Sequence, residues 1–136
     1  MNQIASNPAL RAAAVYVALL TLLAVPLVFN VIRLRRSLKV GIQDGGNKDL
    51  ARAIRVHGNF TETAPFAIAL LLALPLAGVA AWTVHAVGLA ACVGRVAHAI
   101  GLWQSAGASL GRVAGMLLSL AALIVGSIAL LAAALG

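Results

Sequence analysis

Acidic residues are nearly missing from this chain. Asp44, Asp49 and Glu62 are the only three among 136 residues, against ten lysines and arginines. Charged residues of both signs make up 10% of the chain, where soluble domains carry about 25%. With 62% hydrophobic residues, that shortage leaves no room for a soluble domain. There is one cysteine, Cys92. It excludes an intrachain disulfide, and its place inside an apolar run reads as a buried structural thiol. Three scattered histidines lack the clustered spacing of a metal site. No Ser/His/Asp arrangement is visible, and the apolar segments hold a single carboxylate, which excludes paired-carboxylate acid–base chemistry. Tyr16 is the only tyrosine.

What is present is hydrocarbon in long blocks. Four apolar runs each approach the roughly 20 residues that a membrane-spanning helix needs. They predict an all-α integral membrane protein, a bundle of four transmembrane helices forming one domain over residues 1–136. The spans fall at about 8–33, 49–76, 82–103 and 109–135. The first run is too long for a signal peptide and lacks a basic segment before it, so it reads as a retained span. Trp82 and Trp103 bracket the third span; at 1.5 Å per residue they lie roughly 31 Å apart, about one bilayer core. Pro26 and Pro65 are expected to kink or loosen the helices that contain them. Asp44-Gly45-Gly46-Asn47 is a turn signal, and Ser109 is placed to cap the fourth helix.

The net charge of +7 does not imply nucleic acid. Arg33, Arg35, Arg36, Lys39 and Lys48 sit in or beside the first loop, as expected for a loop held on the cytoplasmic side. The first and third loops are therefore expected in the cytoplasm, with both termini outside.

The second span opens on a polar stripe. Arg52, Arg55, Asn59 and Glu62 are spaced by three, four and three residues, which places them on one face of a helix. The same half of the bilayer receives Arg33 from the first span, Arg95 and His98 from the third, and Arg112 from the fourth. Charges inside a membrane cost about 2.5–3.5 kcal/mol each on insertion scales, so they mark sites. One structural expectation is a Glu62–Arg95 ion pair across the bundle. The remaining arginines still exceed the single carboxylate, and a cationic cavity asks for an anionic ligand with carboxylates that match the guanidinium fork. His98 is either a ligand contact or a packing residue. His57 and His85 read as packing or interface residues. Gly111, Gly115 and Ser119 give the fourth span a small-residue stripe for close helix packing.

These residues carry a resemblance. Arg52-x-x-Arg55-x-His57-x-Asn59-x-x-Glu62, with Pro65 shortly after, resembles the second-helix signature of the MAPEG superfamily, the membrane-associated proteins in eicosanoid and glutathione metabolism. Gly94-Arg95-Val-Ala-His98 resembles their third-helix motif, and Val-Ile-Arg33-Leu-Arg35-Arg36 the end of their first helix. The likeness runs over nearly the whole chain and is strongest to the short bacterial inner-membrane branch. It implies a homotrimer in the lipid bilayer, with glutathione bound between subunits near the cytoplasmic face. Arg55, Asn59, Glu62 and His98 would hold the tripeptide, with Arg33, Arg52 and Arg95 adding positive field. Arg112 would stand near the thiol as the catalytic cation. The implied activity is glutathione transfer to a lipophilic small-molecule electrophile, or reduction of a lipid hydroperoxide. Leu102, Val113 and Met116 stand where many eukaryotic members have tyrosine, serine and tyrosine, so no tyrosine hydroxyl is expected at the thiol. Two other classes fit the residues: a small proton-coupled transporter using Glu62, and a non-catalytic glutathione-binding scaffold.

Overall fold

The computed structural model describes residues 3–105 and 107–136. After one helical turn at Gln3–Ser6 come four long helices: α1 (Pro8–Leu38), α2 (Lys48–Leu76), α3 (Ala81–Gln104) and α4 (Leu110–Leu135). All four are long and apolar enough to cross a membrane. Among the described residues there is no strand.

Local chemistry explains most of the boundaries. Asn7 caps α1 through its side-chain oxygen, which accepts from the Ala9 and Leu10 amides, and Pro8 follows at the first helical position. Asn47 caps α2 in the same way, from the Asp49 and Leu50 amides. Ser109 caps α4 by accepting from the Arg112 amide at 3.4 Å. Such oxygens satisfy amides that have no partner within the helix. The expected turn forms: the Asn47 amide donates to the Asp44 carbonyl, and the Gly46 amide to the Asp44 carboxylate.

α1 runs five residues past the expected end at Arg33. Arg35 and Arg36 occupy its last turn, where cations favour the negative end of the helix dipole. Lys39 closes the helix in the left-handed region at φ 55°. Arg35 then staples the loop by donating to the Gln43 carbonyl at 2.8 Å. α2 continues without interruption through Pro65 and Pro75.

The core is thin, as expected for a bundle whose outer faces meet lipid. Leu20 from α1, Leu50, Leu71 and Leu74 from α2, and Val84 and Val87 from α3 are fully buried. Large apolar side chains such as Leu22, Phe29, Phe66, Leu117, Ile124 and Ile128 point outward. α3 and α4 pack most extensively, because small residues let their backbones approach. A Cβ on Gly94 would lie 2.9 Å from the Gly115 carbonyl oxygen, and one on Gly115 would strike the His98 backbone. In lipid this close approach supplies the dispersion contacts that hydrophobicity cannot.

Candidate functional site

The stripe on α2 splits along its length. At 100° per residue, Arg55 and Glu62 lie within about 20° of each other, as do Arg52 and Asn59, and the centres of the two sets are about 60° apart. That small rotation separates the bundle interior from its surface. Asn59 is 7% exposed. The Arg55 and Glu62 side chains are 61% and 54% exposed, and they pair with each other, Nη1 to Oε1, at 3.0 Å.

Arg95 occupies the interior. It is 2% exposed and joins three helices through its guanidinium. Nε donates to Ser119 Oγ of α4 at 2.9 Å. Nη1 donates to the Asn59 side-chain oxygen at 3.0 Å, the Asn59 carbonyl at 3.2 Å and Thr63 Oγ1 at 2.6 Å, all on α2. Nη2 faces the Met116 sulfur at 3.8 Å. Ser119 passes its own proton back to the Gly115 carbonyl. The expected Glu62–Arg95 pair is therefore absent. Glu62 points outward and is neutralised by Arg55 on its own helix, while neutral oxygens hold Arg95. Hydrogen bonds to a charged group contribute about 1.5–3 kcal/mol each, so several of them offset the desolvation of one guanidinium without a carboxylate. Arg95 keeps its full positive charge inside the bundle. It also fixes the Asn59 amide: with the oxygen occupied by Arg95, the nitrogen end remains the donor.

The other cations gather at the same end. Arg52 is half-buried and donates to the Trp103 carbonyl at the close of α3, 3.1 Å away. Arg112, half-buried at the start of α4, turns back to the Gly107 carbonyl of the third loop. His98 is buried on the α4-facing side of α3 and lies in the field of Arg95, Arg112 and Arg55. Arg33 is exposed and donates to Asn30 of its own helix at 3.0 Å; no bond among the described residues joins it to α2. A cavity of about 420 Å³ opens beside Arg55, bordered by Gln43, Asp44, Ile54 and Gly58. It includes neither His98 nor Arg112. Within one subunit the predicted residues thus share one end of the bundle but do not line one pocket.

Thr63 and Ser119 were missed as polar anchors. The signal for both lay in Arg95: a charged residue in an apolar helix requires oxygens at its own depth. Ser119 is the polar member of the stripe that packs on α3, and Thr63 follows Asn59 by one helical turn. The only tyrosine sits elsewhere. Tyr16 is near the start of α1, with its hydroxyl 3.1 Å from His85 Nδ1, so His85 has a specific partner. Among the described residues there is no cluster of His, Cys, Asp and Glu able to hold a metal ion.

The family model described as the MAPEG family matches residues 13–132. The chain is 38% identical over 114 residues to inner membrane protein YecN of Escherichia coli strain K12, covering 79% of this chain and 87% of that protein. The same figures hold for inner membrane protein YecN of Escherichia coli O6:H1. No solved structure matches significantly.

Proposed function

Because the chain belongs to the MAPEG family of membrane proteins, we propose that it binds glutathione and uses the thiol against lipophilic electrophiles or lipid hydroperoxides. The observation that carries this reading is the exposed Arg55–Glu62 pair beside the anchored Asn59 amide. Glutathione brings two carboxylates, one ammonium and one thiol. Arg55 matches a carboxylate and Glu62 matches the ammonium, so the ligand exchanges partners with a pair already formed. An exposed pair contributes about 0–1 kcal/mol, and its opening costs correspondingly little. The Asn59 nitrogen adds a donor whose direction is set by Arg95.

The active assembly is a homotrimer, with the ligand held between neighbouring subunits. This accounts for the failure of one subunit to enclose Arg55, His98 and Arg112 together. Arg112 stands nearest the thiol and favours the thiolate, and Arg33 and Arg52 add positive field at the mouth. The second substrate enters from the bilayer. The protein lies in the inner membrane with its first and third loops in the cytoplasm and both termini outside, following the lysine and arginine bias.

The test is calorimetric titration of glutathione into the detergent-purified protein, with native mass spectrometry for the trimer and an aryl halide assay for turnover. Saturable binding by a trimer with thioether formation supports the full reading. Saturable binding without turnover reduces it to a glutathione-binding scaffold. Absence of binding overturns it, and proton-coupled uptake in that case assigns Glu62 to transport.

A further inference from the structure

A second polar site lies at the opposite end of the bundle, away from every arginine discussed above. Tyr16 of α1 and His85 of α3 meet there edge to face, with ring centroids 5.7 Å apart. A hydrogen bond of 3.1 Å joins the phenol oxygen to Nδ1, with either group able to donate. The fold holds this pair in place. The Tyr16 ring lies on Gly88, where any Cβ would collide with it, and the Cys92 thiol donates to the Tyr16 carbonyl at 3.8 Å. Arg11 joins Tyr16 and His85 in lining one cavity of about 510 Å³. The chain's three acidic side chains, Asp44, Asp49 and Glu62, all belong to the other end, so no acidic side chain of the subunit stands beside this cation.

The cavity has an apolar continuation. Leu19 forms part of its wall and also part of a groove of about 720 Å³ between α1 and α3, along Leu23, Pro26, Val96 and Ile100. A cationic cup with two hydrogen-bonding rings thus adjoins, at Leu19, an apolar groove running between the helices. That shape fits a head and one tail.

We propose that this is a phospholipid site: Arg11, His85 and Tyr16 receive an anionic lipid's phosphate, and one acyl chain lies in the α1–α3 groove. The guanidinium fork matches two phosphate oxygens, and the Tyr16–His85 pair supplies one further donor in either tautomer, the imidazole N–H or the phenol O–H.

The probe is phosphatidylglycerol with a photoreactive acyl chain, in phosphatidylcholine nanodiscs containing the full-length protein, with adducts mapped by mass spectrometry. Adducts are expected on the groove residues between Leu19 and Pro26 and between Cys92 and Ile100. Replacing the headgroup by phosphatidylcholine should lower their yield about fivefold, the contribution of one arginine at a membrane surface. Arg11→Gln should lower the phosphatidylglycerol yield by a similar factor, whereas Arg36→Gln, at the other end, should leave it unchanged. Leu19→Trp, which fills the junction and keeps Arg11, should also lower it. Equal yields for the two headgroups, or a yield unmoved by Arg11→Gln, would overturn the proposal. Labelling by a free fatty-acid probe that phosphatidylglycerol does not displace would assign the site to a carboxylate and overturn it as well.

Discussion

Asn59 and Glu62 are three residues apart on α2 and live in different media. Asn59 faces α3, is largely buried, and has its oxygen bound by Arg95. Glu62 faces outward and holds Arg55. Both arginines that meet these residues are cations, yet they do different work. Arg95 is fastened to four neutral oxygens on two neighbouring helices and is a structural joint with a residual charge. Arg55 holds its partner at the exposed surface. One polar stripe thus builds the scaffold along one edge and presents an exposed ion pair along the other.

The sharpest way to break this contrast is to remove the joint. Arg95→Ala strands the Asn59, Thr63 and Ser119 oxygens and leaves a cavity, and should destabilise the bundle by about 2–4 kcal/mol. A clear fall in the detergent melting temperature is expected, and an unchanged one would make the network ornamental. Ser119→Ala removes one acceptor of the set and should cost about 1 kcal/mol in the same measurement.

Arg112 sharpens the contrast on the ligand side. Near neutral pH, the ultraviolet absorbance of bound thiolate should fall in Arg112→Ala. On removal of the arginine the bound thiol's pKa should rise by about one unit toward its free value of about 8.5, equivalent to about 1.4 kcal/mol. The lost absorbance should therefore return as pH is raised. Weakened binding with an unchanged thiolate signal would move Arg112 to the carboxylate-binding set. The smallest expected effect is on the exposed pair: Arg55→Ala and Glu62→Gln should each shift stability by less than about 1 kcal/mol. A loss as large as that of Arg95→Ala would mean that the pair is part of the scaffold.

The four helices were legible in the sequence because length and hydropathy dictate them, and the cap at Ser109 because its oxygen faces an otherwise unbonded amide; Asn47 was legible only as part of a turn. The end of α1 was harder to see. Hydropathy stops at Arg33, but the helix continues outside the apolar stretch, where Arg35 and Arg36 favour its C-terminal dipole. The partner of Arg95 was misread because charge was matched with charge. Depth along the bundle put Glu62 within plausible reach, but rotation around α2 turned it away, and depth alone does not encode rotation. The division between Asn59 and Glu62 rests on about 60° of helix phase, which spacing reveals only once the position of α3 is known. The Tyr16–His85 contact joins residues 69 positions apart and leaves no local trace in either helix.

The central claim is that the Arg55–Glu62 edge exchanges its partners for a zwitterionic tripeptide, and Glu62→Gln tests it most directly. Calorimetry with glutathione and a melting curve should be recorded on the same detergent preparation. Binding at least about tenfold weaker than wild type, from the loss of one charged hydrogen bond, with a melting temperature close to wild type, is the predicted result. Equal glutathione affinity in the two proteins would contradict the account.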